Sequence, residues 1–76
     1  MKYTLVGVDG NAFAIMGYTA KALRAEGLKN LIAEMREEAM SGDYHHLIAT
    51  CDSYIDRANE AAEENGYIDE EEEDFW

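Results

Sequence analysis

The feature that most constrains the fold is a long series of apolar residues at helical spacing in the second half of the chain. Only the period of an α-helix places residues at i, i+3, i+4, i+7, i+11, i+14 and i+18 on one face. Asp43 is of a residue type that caps helix starts, and Gly66 provides a stop. The sequence therefore predicts a helix with an apolar stripe that other elements must cover. The stripe consists of Tyr44, Leu47, Ile48, Cys51, Ile55, Ala58 and Ala62.

Two shorter segments are predicted to form the helices that cover this stripe. The first runs from about Asn11 to Ala25, and Gly27 follows it as a natural C-terminal stop. The second runs from about Lys29 to Met40 and ends before Ser41. The first segment presents a face of Ala12, Ile15, Met16, Thr19 and Leu23, widened by Phe13, Gly17 and Ala20.

The N-terminal segment from Lys2 to Val8 is predicted to be a β-strand, because aromatic and β-branched residues follow closely in it. The expected fold class is therefore α+β, with one strand followed by three helices in residues 1–66 and an acidic tail in residues 67–76. A lone strand leaves backbone groups unpaired, which is costly when they are buried. The tail around Tyr67 and Ile68 could pair with it, but four consecutive glutamates follow there. A homodimer with strands paired across a two-fold axis is the favoured expectation.

Charge limits the kind of partner that the chain can bind. The net charge is −11, and the six residues from Asp69 to Asp74 are all acidic. Residues 1–65 hold 11 acidic and 6 basic side chains, so the body is acidic as well. Direct binding to nucleic acid is disfavoured because phosphates require lysine and arginine. A protein partner with a basic surface is the better electrostatic match.

The apolar run preceding Asp9 is too short for the apolar region and cleavage site of a signal peptide, and the sequence has no transmembrane stretch. We therefore expect a soluble protein of the cytoplasm, without a membrane partner. Cys51 is the only cysteine, which excludes an internal disulfide and agrees with a reducing compartment.

A turn at Asp9, Gly10 and Asn11 joins the predicted strand to the first helix and resembles a phosphate-binding junction. Together with His46 it forms an alternative site for a small ligand or a nucleotide. The glycines do not have the G-x-G-x-x-G spacing, and Asp9 would place a carboxylate where a phosphate should lie. A capped turn without a ligand is the favoured interpretation.

No residues form a recognisable catalytic or metal-binding constellation, so we expect no enzymatic activity, no metal and no cofactor. His45 and His46 are adjacent and would point about 100° apart on a helix, whereas two metal ligands need i, i+3 or i, i+4 spacing. Cys51 lies in the middle of the apolar stripe, which favours a core residue over a reactive thiol.

Two acidic features are candidates for partner binding. The residues Asp52, Asp56, Glu60 and Glu63 follow one another along the outer face of the third helix, with Arg57 among them. They form either a solvated face or a binding surface. Phe75 and Trp76 follow the acidic run of the tail and could anchor a partner, fold back on their own domain or have no function.

Two stretches of this sequence resemble a group of small acidic proteins found in phage and prophage genomes. They are VGVDGNAF, from Val6 to Phe13, and SGDYHHL, from Ser41 to Leu47, with Ile48 in place of a second leucine. The resemblance covers about residues 3–56. The resemblance implies a source and a size class but no reaction. It favours a protein that binds a host or phage protein. Such binding could inhibit a defence protein or a nucleic-acid-handling protein. A structural or assembly component is the remaining alternative.

Overall fold

The structure, a computed structural model, describes residues 1–68 and consists of three helices. They are α1 (Ala12–Ala25), α2 (Ile32–Ala39), which a 3₁₀ turn over Lys29–Leu31 precedes, and α3 (Tyr44–Glu64). The side chain of Tyr44 reaches Gly10 just before α1, and the side chain of Asn65 reaches Glu26 just after α1. Helices α1 and α3 therefore run in the same direction, and α2 returns between them.

The helix boundaries follow from local hydrogen bonds. Asn11 begins α1, since its Oδ1 accepts from the backbone N–H of Phe13 at 2.8 Å and of Ala14 at 3.3 Å. Helix α1 ends where Gly27 adopts a φ of 80°, which allows the N–H of Leu28 to donate back to the carbonyl of Leu23 at 2.8 Å. The three predicted helices are confirmed to within a few residues.

The predicted stripe of α3 is confirmed from Leu47 to Ala62, and Cys51 and Ile55 enter the core together with Leu23 of α1 and Met35 of α2. Tyr44, its first predicted member, is 47% exposed, so its place in the core is wrong. Burial raises the pKa of the Cys51 thiol. Phe13, in contrast, is 75% exposed, so its predicted place in the core is wrong. It lies at the edge of the apolar face in the first turn of α1, where no described element covers it.

The predicted N-terminal strand is wrong, because no residue between 1 and 68 forms a strand. Over the part of the chain that the structure describes, the fold is all-α rather than α+β. Residues 1–11 form an irregular segment against α1 and α3. The side chain of Asn59 takes the place of a neighbouring strand, since its Oδ1 accepts from the N–H of Tyr3 at 2.8 Å and its Nδ2 donates to the carbonyl of Tyr3 at 2.9 Å. The hydroxyl of Tyr18 accepts from the N–H of Thr4 at 3.1 Å.

Three apolar residues of this segment, Tyr3, Leu5 and Val8, still pack against the core, whereas Val6 is 85% exposed. The composition of the segment therefore indicated neither its backbone pairing nor which of its side chains are buried. Since the backbone of Tyr3 is paired within the chain, no lone strand is present among residues 1–68 that would require a second copy. Dimerisation itself stays a prediction.

Candidate functional site

The acidic residues of α3 form one exposed surface. Asp52, Asp56, Glu60 and Glu63 are all exposed, and at about 100° per residue they lie within about 80° of the helix circumference. No ion pair joins any of them to a base within residues 1–68. We call these four residues the acidic face.

Arg57, which interrupts the acidic residues in the sequence, turns toward α2. Its Nη1 lies 3.8 Å from Oε2 of Glu34, and its guanidinium lies 4.9 Å from the ring centroid of Tyr54. The hydroxyl of Tyr54 donates to the same Glu34 oxygen at 2.7 Å, and this hydrogen bond raises the pKa of Tyr54. The arginine is thus held beside the acidic face and leaves that face without a positive charge of its own.

His46 closes the end of α2 rather than joining a ligand site. Its Nε2 lies 2.9 Å from the carbonyl oxygen of Glu38, 3.1 Å from a carboxylate oxygen of Glu38 and 3.3 Å from Oγ of Ser41. A Cβ atom on Gly42 would lie 2.8 Å from the His46 ring, so the loop needs glycine there. A cleft of about 360 Å³ adjoins this histidine between α2 and α3, and its lining also includes Thr50, Tyr54 and Arg57.

The turn at Asp9, Gly10 and Asn11 uses its polar groups within the fold. Oδ1 of Asp9 accepts from the N–H of Asn11 at 2.9 Å, Asn11 caps α1, and the carbonyl of Gly10 accepts from the hydroxyl of Tyr44. The contacts of His46 go to α2 and to its own helix, so they do not join His46 to this turn. No residue of the turn lines the cleft beside His46, and none lines a second cleft between the N-terminal segment and α1.

A second cleft, of about 330 Å³, lies between the N-terminal segment and α1. We call it the lysine–tyrosine cleft, and its lining consists of Lys2, Tyr3, Tyr18, Lys21, Ala22 and Ala25. Lys21 is exposed and has no ion-pair partner among the described residues. The cleft thus combines aromatic rings with positive charge on a molecule that is otherwise acidic.

Beside this cleft, three side chains converge on Glu26, the C-cap residue of α1. Its carboxylate accepts from Nζ of Lys2 at 2.8 Å, from the hydroxyl of Tyr3 and from Nδ2 of Asn65 at 3.1 Å. These hydrogen bonds, led by that of Lys2, lower the pKa of Glu26 from 4.5 to about 2, although its side chain is only 3% exposed. The same partner raises the pKa of Lys2, while burial and the bond to Glu26 raise that of Tyr3.

Sequence reasoning missed the Glu26 cluster because it joins residues that are far apart along the chain. One signal was present, since a carboxylate at a helix C-terminus opposes the helix dipole and needs a compensating partner.

Within residues 1–68 no group of three or more histidine, cysteine, aspartate or glutamate side chains is placed to hold a metal ion. No helix in that range has the length and apolar character that a bilayer crossing requires. Phe75 and Trp76 lie outside the described residues.

Comparison with known protein families finds no family model that matches the chain, and it finds no significant match to a curated protein or to a solved structure.

Proposed function

We propose that this protein is an interaction module that binds a basic surface of another protein through the acidic face of α3. The observation that carries the proposal is that Asp52, Asp56, Glu60 and Glu63 are exposed together without a neutralising base within residues 1–68. Like charges at i, i+4 on a helix cost stability, and a basic partner would offset that cost. The net charge of −11 would also accelerate encounter with a positively charged partner.

The partner is proposed to be a protein of a phage or its host, in the cytoplasm, and a nucleic-acid-handling or defence protein would carry such a basic surface. The acidic face matches a DNA backbone only loosely, because residues four apart lie about 6 Å apart along a helix, whereas phosphates on one strand lie about 3.4 Å apart. Complementarity to a basic protein surface does not require that regular spacing. Phe75 and Trp76 are proposed as additional anchors.

The test is capture of basic proteins from a host lysate by the immobilised full chain, with elution by rising salt. One variant neutralises the acidic face through Asp52→Asn, Asp56→Asn, Glu60→Gln and Glu63→Gln. The matched control removes the same number of charges from the tail through Glu70→Gln, Glu71→Gln, Glu72→Gln and Glu73→Gln. We expect one basic protein to be captured by the wild type and by the control but not by the variant of the acidic face.

The proposal requires that the captured protein is released as salt rises, since screening shortens the Debye length to about 3 Å at 1 M. Capture that persists unchanged at about 1 M salt, or that is equal for both variants, would contradict it.

No observation in residues 1–68 favours the nucleotide-binding or assembly alternatives. The homodimer remains a separate prediction, and a sedimentation experiment at tens of micromolar tests it. An 8.6 kDa species there would refute the dimer without affecting the proposed acidic face.

A further inference from the structure

We infer that the lysine–tyrosine cleft is the docking site for the chain's own residues 69–76, with the indole of Trp76 in the cleft and the preceding carboxylates beside its lysines. The inference does not depend on the acidic face of α3, which has no part in it, and it bears only on the proposed anchors: an indole docked in the cleft must leave it before it can contact a partner. It assigns an occupant to the cleft and a place to Trp76.

The lining of the cleft suits an aromatic ring that arrives with negative charge. The hydroxyl of Tyr3 donates to Glu26, and that of Tyr18 accepts from the N–H of Thr4, so the polar ends of both tyrosines are already paired. Their rings and the methyl groups of Ala22 and Ala25 remain as the apolar lining. Aromatic pairs stabilise each other beyond the area that they bury.

The position of the cleft favours this segment over other parts of the molecule. Lys2 lines the cleft, and its Nζ also lies 5.8 Å from the ring centroid of Tyr67. The last described residues therefore lie one side chain away from the cleft. Eight residues span at most about 29 Å when fully extended, so residues 69–76 can turn back and reach it.

The exposed apolar residues at the other end of the bundle are farther away. Phe13, Met40 and Tyr44 lie where α1 starts and α2 ends, and Ile68 follows the opposite end of α3. At 1.5 Å per residue this helix of 21 residues is about 31 Å long. Residues 69–76 would therefore have to lie almost fully extended along α3 to bring Trp76 to that end.

Charge favours the same cleft. The acids from Asp69 to Asp74 have no base among them, whereas Lys21 has no ion-pair partner among residues 1–68 and Arg24 follows it by one turn of α1. The acidic face of α3 would repel this segment. Docking within one chain also has a high effective concentration, in the millimolar range for short linkers.

The experiment uses the fluorescence of the full-length chain, because Trp76 is its only tryptophan. Emission and quenching by acrylamide, which is uncharged, are compared with those of a free peptide of residues 69–76. We expect a blue-shifted emission and weaker quenching in the protein than in the peptide, at every protein concentration.

Lys21→Glu replaces an attraction by a repulsion and should lower the docked-to-free ratio about tenfold. Lys29→Glu, outside the cleft and with the same change of charge, should leave it unchanged. Ala25→Met fills the cleft without changing charge and should also release the indole. Far-UV circular dichroism checks that each variant stays helical.

The inference is overturned if the wild-type indole is quenched as strongly as in the free peptide, or if Lys21→Glu and Lys29→Glu behave alike. Protection that appears only at high protein concentration would also overturn it, since the occupant would then be a second copy.

Discussion

Asn59 decides the path of the N-terminal segment, because its side-chain amide pairs both backbone groups of Tyr3 from the C-terminal third of α3. Asn59→Ala removes both hydrogen bonds and leaves the groups of Tyr3 without protein partners. We expect the free energy of unfolding to fall by about 2–3 kcal/mol, measured by urea denaturation. Asn30→Ala, at an exposed residue of the 3₁₀ turn, is the control and should change it by about 0.5 kcal/mol or less. Equal effects of the two substitutions would show that the pairing is unimportant.

Glu26 gives the stability of the molecule a defined dependence on acid. Its pKa in the folded protein, about 2, lies below the ordinary value of 4.5. The contribution of the carboxylate is therefore fully present above about pH 4.5, and it is lost as the pH falls toward 2. We expect Glu26→Gln to be less stable than the wild type at pH 6 and equal to it near pH 2, as measured by thermal unfolding.

The control for this prediction is Glu37→Gln, at an exposed residue of α2. Its unfolding temperature should parallel that of the wild type across the same range. A constant difference between Glu26→Gln and the wild type from pH 6 to pH 2 would contradict the role of the carboxylate.

At the scale of elements, repulsion between the like charges of the acidic face lowers the stability of α3. Glu60→Lys converts like-charge neighbours at Asp56 and Glu64 into pairs of opposite charge at i, i+4. We expect a gain of about 1 kcal/mol in the free energy of unfolding, which raises Tm by about 4–8 °C, while capture of the basic partner weakens. Glu60→Gln should give a smaller gain, and a fall in Tm with Glu60→Lys would be inconsistent with repulsion on this face.

The three helices could be predicted because each combines apolar spacing with residues that start or stop it, as with Asn11 and Gly27 for α1. The strand could not be excluded, because Lys2 to Val8 has the composition of a strand. The backbone of Tyr3 pairs instead with the side-chain amide of Asn59, which lies 56 residues away in the sequence. Local composition indicates that a segment favours extended backbone, but it does not report what pairs with that backbone.

The acidic face could be predicted from spacing alone, since exposed residues of one long helix keep their relative angles. The direction of the Arg57 side chain could not be predicted in this way, because it depends on Glu34 of a different helix. For the same reason the lysine–tyrosine cleft was not expected, as its lining joins Lys2 and Tyr3 to the second half of α1.

At the scale of the whole molecule, the net charge of −11 implies that the folded state repels itself. Raising sodium chloride from about 0.01 M to 0.15 M shortens the Debye length from about 30 Å to 8 Å and should raise Tm by several degrees at pH 7. The control is the same titration near pH 4.3, the isoelectric point, where the gain should be much smaller. A fall in Tm at pH 7 would mean that screened attractions, such as Lys2 with Glu26, outweigh the repulsion.

The burial of Cys51 allows the opening of the bundle to be timed. The chain has no other cysteine, and this thiol is fully enclosed between the helices with a raised pKa. A thiol-labelling reagent added to the native protein can therefore react only after the helices separate. With excess reagent the labelling rate becomes the rate of opening itself, and with little reagent it reports the equilibrium population of the open form. Labelling of this one thiol thus measures how often the helix bundle opens, and no probe has to be introduced by mutation.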